Sequence, residues 1–289
     1  MDGSTSALSS ETQGGLLVVV IDTNPVHWMR HVAGQPREFG LKHAIESMLL
    51  YVNAYLLLHR NNRLVILAAH TGKSVFLFPD PEGTNRNGTA EQFAKVKEQV
   101  WRKLLELSQT PVTEGNANTS LSAGLSLALC FINRAMNEQR DLRPRILSVQ
   151  ASPDFAAQYI SIMNCIFSAQ KKHVPIDACI LSEEPSSFLQ QAAYLTGGVY
   201  FKPRDVDGLV QYFLTIWLAD TSTRALLKLP SQASVDFRAM CFCHKKTIAT
   251  AFVCPVCLSL FCEFLPICST CGIRSHIAPP RRKRVRPTT

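Results

Sequence analysis

The chain is 289 residues long, 46% apolar and 18% charged, with a formal net charge of +8 at pH 7. Such a chain can bury one sizeable core and a small second module. The first apolar run, Leu16 to Ile21, follows a polar opening and is too short for a signal core or a membrane span, which argues against a secreted or membrane-anchored protein.

Leu16 to Ile21 is uncharged and rich in β-branched residues, which predicts a buried strand ended by the turn residues Asp22-Thr23-Asn24-Pro25. Leu41, Ile45, Met48, Leu49, Val52 and Leu56 recur at helical spacing. Arg63 to Ala69 and Ser74 to Phe78 read as two adjacent strands, and Pro79 to Gly88 as a polar loop. Phe93 to Leu107 and Leu121 to Ile132 carry helical periodicity, and Arg145 to Val149 is a strand. Phe155 to Ile166 is helical, Ile176 to Leu181 a strand, Ser187 to Leu195 a helix and Gly198 to Phe201 a last strand. Val206 to Leu218 closes the domain as a helix.

Strands alternating with helices predict an α/β fold with a doubly wound, mostly parallel sheet over residues 16–218. Neither GxGxxG nor GxxxxGK[ST] follows a strand, which removes the main support for nucleotide binding. Residues 219–234 read as a linker. The histidines form no HExxH pair, and His59, His70 and His173 read as structural. Asn87-Gly88-Thr89 and Asn118-Thr119-Ser120 match the glycosylation pattern, and both are expected to be chance matches because nothing before Leu16 reads as a secretion signal.

Seven of the ten cysteines lie between Cys241 and Cys271. Cys254-x-x-Cys257 and Cys268-x-x-Cys271 are two close pairs ten residues apart, the spacing of a closed tetrahedral thiolate site for structural zinc. A compartment that keeps thiols reduced favours metal over disulfides. The expectation is one zinc in a module spanning residues 235–273. Cys241, Cys243, His244, Cys262 and His276 are either a second site or packing residues, because Cys241-x-Cys243 is tighter than a usual pair. Cys130, Cys165 and Cys179 stand singly in apolar stretches and are expected to be buried.

From Met240 onward eight Lys/Arg face one acid, Glu263, giving +7 and leaving +1 for residues 1–239. Five of these charges fall in Arg281 to Arg286, within a tail (274–289) that is not expected to fold by itself and can act as an import signal, a nucleic-acid contact or a solubilising tail, import being favoured over DNA contact. Residues 1–15 are likewise expected to lie outside the fold.

A strand ending in Asp at the carboxyl edge of such a sheet resembles the von Willebrand A type, whose Asp-x-Ser-x-Ser run holds Mg²⁺. Here Asn24 replaces the first Ser and Val26 the second, and Gln150-Ala151-Ser152 stands where the family places a later Asp. The metal site is therefore expected to be degenerate, with Asp22 capping backbone amides instead.

Val19 to Pro25, Val26-His27-Trp28, Gly197 to Tyr200, Val235 to Arg238 and the cysteine series from Cys241 to Gly272 together resemble the smaller A-domain subunit of the transcription and repair factor TFIIH. The resemblance implies a nuclear, non-enzymatic scaffold of the TFIIH core. Its partner would be the larger A-domain and zinc-bearing subunit, and its role RNA polymerase II initiation and nucleotide excision repair. It also implies zinc ligation by Cys254, Cys257, Cys268 and Cys271. Two other readings compete: a nucleic-acid-binding module using the basic tail, and a RING-type ubiquitin ligase. The module lacks interleaved aromatics for base stacking, and the Cys257–Cys268 interval holds Cys262 but no histidine.

Overall fold

The computed structural model describes residues 14–33, 40–79, 90–109, 118–230, 235–244, 246–257 and 259–274. The chain divides between Asp236 and Phe237 into two compact units.

The first unit is built on a six-stranded sheet. Its strands are β1 (Gly15–Asp22), β2 (Arg63–Ala69), β3 (Ser74–Phe78), β4 (Arg143–Gln150), β5 (Ile176–Ile180) and β6 (Tyr200–Phe201), in the spatial order β3-β2-β1-β4-β5-β6. Every neighbour pair is parallel except β2 with β3. The predicted doubly wound sheet is therefore present. Its direction of winding reverses at β1, so the carboxyl ends of β1 and β4 flank the crevice where α/β sheets carry their sites.

The helices are α1 (Pro25–Ala33), α2 (Leu41–Leu58), α3 (Ala90–Ser108), α4 (Leu121–Glu138), α5 (Tyr159–Lys171), α6 (Ser187–Thr196), α7 (Leu209–Tyr212) and α8 (Thr221–Arg224). Both faces of β1 are covered. Leu17, Val19 and Ile21 join a core with Met48 and Val52 of α2 and Val100 of α3, while Leu16, Val18 and Val20 are equally buried on the other side. That two-sided burial is why β1 reads as an unbroken apolar run. Among the described residues no helix is long and apolar enough to cross a membrane.

Four local expectations change. α1 occupies sequence read as the exit of a turn. Asn24 caps it, its Oδ1 accepting from the Val26 amide at 3.1 Å, and Pro25 takes the first helical position where no amide donor is needed. The closing helix begins at Leu209 rather than Val206, and after α7 it continues as a π-helix over Phe213–Trp217. The expected linker contains α8, which begins on an Asp220 side chain that accepts from the Thr223 amide at 2.9 Å. Cys130 is exposed, because it falls off the apolar stripe of α4 formed by Leu125, Leu129 and Ile132; Cys165 and Cys179 are buried as expected.

The second unit contains two ribbons: β7 (Ala239–Met240) with β8 (Thr247–Ile248), and β9 (Phe252–Val253) with β10 (Leu260–Phe261), each antiparallel. Its buried cluster is Cys254, Phe261 and Cys268, with Phe242, Cys257 and Leu265 partly buried around it. An apolar core this small leaves most of the stabilisation to cross-links or metal.

Candidate metal centres and the closed sheet edge

At the crevice, the Asp22 carboxylate is surrounded by donors. Its Oδ1 accepts from the Asn24 amide and the Thr119 hydroxyl, both at 3.0 Å; its Oδ2 accepts from the amides of Ala151 at 3.2 Å and Ser152 at 2.7 Å. Asp22, Asn24 and Ser152 are all buried. The Asn24 amide group is also occupied, its oxygen by the α1 cap and its Nδ2 by the Thr119 hydroxyl at 3.1 Å. Thr119 Oγ1 lies 2.6 Å from Ser152 Oγ. A hard cation needs several free oxygen ligands, and here the oxygens of Asp22 and Asn24 already bind protein N–H and O–H groups. Asp22 thus caps amides as expected, and it ties β1 to the segment after β4 as well as to its own turn.

Thr119 belongs to this network and was missed as a member of it. The available signal was a Thr-Ser pair directly before the apolar face of α4. Beside it, His70 Nδ1 lies 2.9 Å from the Thr23 carbonyl, which can only accept, so this nitrogen carries the proton. Burial, the largest influence, lowers the His70 pKa below its ordinary value. His59 and His173 are exposed at the ends of α2 and α5.

In the second unit, Cys254, Cys257, Cys268 and Cys271 converge, with all four sulfurs within 4.8 Å of one another. Cys254 and Cys271 sulfurs are 3.7 Å apart and those of Cys257 and Cys268 3.6 Å, close enough to share one metal and too far for a disulfide. The two pairs are built alike: the Cys254 amide donates to the Ser259 carbonyl and the Cys268 amide to the Ile273 carbonyl, both at 2.9 Å. Each is a tight knuckle that points two sulfurs the same way. Hydrogen bonds from the Ser259 side chain and amide hold the Cys257 thiol down at about 6, favouring the thiolate that metals bind.

The structure also gathers Cys241, Cys243, His244 and Cys262, with donor atoms again within 4.8 Å. One metal position was expected, and the described residues contain two clusters that can hold one. His276 and the Arg281–Arg286 tail lie outside the described residues.

The sheet order, the closed Asp22 crevice and the helices on both faces define a von Willebrand A-type domain, here followed by a cysteine-rich module. A von Willebrand factor type A structure from Catenulispora acidiphila shares that fold at a TM-score of 0.51 and 15% identity, covering 70% of this chain and 41% of that one. The profile of the Transcription factor Tfb4 family matches residues 14–272, and the chain belongs to that family. Relatives include the General transcription factor IIH subunit 3 of Dictyostelium discoideum, 40% identical over 86% of this chain and 73% of the relative. The General transcription and DNA repair factor IIH subunit TFB4 of Arabidopsis thaliana is also 40% identical, over 89% of this chain and 87% of the relative. The crystal structure of the TFIIH p34 N-terminal domain superposes with a TM-score of 0.61 at 32% identity, covering 71% of this chain and 99% of that one.

Proposed function

We propose that this chain is a non-catalytic structural subunit of the TFIIH core, acting in the nucleus in RNA polymerase II initiation and nucleotide excision repair. It does so by docking a partner subunit, chiefly the larger A-domain and zinc-bearing one. The observation that carries this reading is the family match over both units, residues 14–272, together with relatives named as factor IIH subunits. The crevice at Asp22 fits it: an edge occupied by its own hydrogen bonds offers a preformed protein surface in place of a cation site.

Zinc held by Cys254, Cys257, Cys268 and Cys271 keeps the second unit folded. Four thiolates suit zinc and leave no coordination position for water, which makes the role structural. Zinc contributes on the order of ~10–16 kcal/mol to the folding of isolated small modules, far more than the few apolar residues of this unit supply.

The reading is tested by co-expressing the full chain with the other core subunits and isolating the assembly. The chain is expected to co-purify in stoichiometric amount, and Cys257→Ser to lose zinc and weaken incorporation while the A-type domain keeps its melting transition. A chain left out of the assembly overturns the TFIIH reading. Unaltered module folding and incorporation in Cys257→Ser overturn structural zinc in that role.

A further inference from the structure

We infer that Cys241, Cys243, His244 and Cys262 form a second zinc site, and that the two sites are interlocked. Cys241-x-Cys243 is too tight for an ordinary pair. The backbone gives a different pairing. The Cys241 amide donates to the Lys246 carbonyl at 2.9 Å, the same five-residue bond that closes the knuckles at Cys254 and Cys268. In those two knuckles the second ligand stands three residues after the first, at Cys257 and Cys271. Three residues after Cys241 stands His244. The segment is thus a third knuckle of the same build, reading Cys241-x-x-His244, with Cys243 as an extra donor inside it.

The remaining geometry agrees. Cys262 Sγ lies 3.4 Å from Cys243 Sγ and 3.0 Å from His244 Nδ1, and the Lys246 amide lies 3.5 Å from Cys241 Sγ. Three thiolates and one imidazole make a closed tetrahedral set for zinc. The sulfurs of Cys243 and Cys262 are too far apart for a disulfide.

The ligands alternate along the chain: Cys241, Cys243 and His244 serve this site, Cys254 and Cys257 the first, Cys262 this site again, and Cys268 and Cys271 the first. The β9–β10 ribbon explains how. Cys254 directly follows β9 and Cys262 directly follows β10; because the strands are antiparallel, the two residues leave opposite ends of one short ribbon. The Phe242 amide donates to the Leu260 carbonyl at 2.8 Å, joining the third knuckle to the same ribbon, and Phe261 is buried among Phe242, Cys254 and Cys268. Each metal therefore fixes one end of the ribbon that the other needs.

The test is native mass spectrometry of the reduced full chain, followed by cobalt substitution in wild type and His244→Cys. His244→Cys keeps a metal-binding donor, so it reports on ligation even if Cys262→Ser fails to fold. Two zincs per chain are expected. The thiolate-to-cobalt charge-transfer band should grow in His244→Cys, because seven thiolate ligands become eight. A single zinc in a folded chain, retained in Cys262→Ser and lost in Cys268→Ser, overturns the second site and leaves the first standing. Two metals with an unchanged band in His244→Cys overturn the ligand assignment. A native Cys243–Cys262 disulfide also overturns the site, and a folded chain without metal removes both.

Discussion

Arg224 and Asp177 meet through two parallel bonds, Nη1 to Oδ1 at 2.8 Å and Nη2 to Oδ2 at 2.7 Å, with side chains 8% and 1% exposed. Asp177 sits on β5, and its Oδ1 also accepts from the Val199 amide at 2.8 Å. Arg224 sits on α8, within sequence expected to be a linker. The pair fastens the chain after the sheet back onto the sheet. Arg145 assists from β4, donating to the carbonyls of Trp217 and Ala219 while its guanidinium lies 5.1 Å from the Tyr55 ring centroid. Removing one member of a buried pair strands the other's charge and costs about 3–5 kcal/mol. Arg224→Met should lose that much in chemical denaturation, and adding Asp177→Asn should restore part of it. A loss below about 1 kcal/mol would show that the pair is not buried in solution.

Asp22 accepts four hydrogen bonds from three separate segments. Asp22→Ala leaves buried amides and the Thr119 hydroxyl short of an acceptor, at a cost on the order of 3 kcal/mol. Because those contacts already use the carboxylate, millimolar Mg²⁺ should leave the wild-type melting temperature unchanged. A saturable rise with Mg²⁺ would mean that the crevice opens to a cation.

Gly197 and Gly198 turn the chain from α6 into β6 for different reasons. Gly197 has φ +72° with open space around it, so Gly197→Ala should cost about 1 kcal/mol of backbone strain. A Cβ on Gly198 would lie 2.0 Å from the Ile176 carbonyl oxygen. Gly198→Ala must push β5 and β6 apart, and about 3 kcal/mol is expected. Equal thermal shifts in the two variants would contradict this division.

His70 is buried beside Thr23, and burial, ahead of the weaker push from Lys73 and opposed by the Thr23 carbonyl bond and Asp22, lowers its pKa. Unfolding restores the ordinary value of 6.5. Between the two values the unfolded chain binds the proton and the folded chain does not, so stability falls as pH drops below about 6.5 and levels off below the folded value. Denaturation from pH 7.5 to 5 should show a steeper decline in wild type than in His70→Gln. Parallel curves would remove His70 as the cause.

The winding of the sheet was legible because its strands are short apolar runs separated by amphipathic segments, and both periodicities are local. Asp22 was recognised as a cap because its neighbours lack the hydroxyls a cation site needs. α1 was missed because Asn-Pro opens a turn or a helix equally well. Packing decides between the two, and it includes the Trp28 indole that donates to the Asp22 carbonyl at 2.9 Å.

The Cys254, Cys257, Cys268 and Cys271 grouping was legible for the same local reason, since each knuckle spans four residues. Cys241, Cys243, His244 and Cys262 stood in the sequence as either a second site or packing residues, because nothing local relates the Cys241–His244 segment to Cys262 across the Cys254-x-x-Cys257 pair. Composition and periodicity were sufficient for the fold class, and cysteine spacing for the gathering of Cys254, Cys257, Cys268 and Cys271, both of which depend on neighbours along the chain. Thr119 beside Asp22, Arg224 on Asp177 and Cys262 beside His244 came only from folding. Those contacts join residues separated by 18 to 97 positions, and the sheet and the ribbon bring them together.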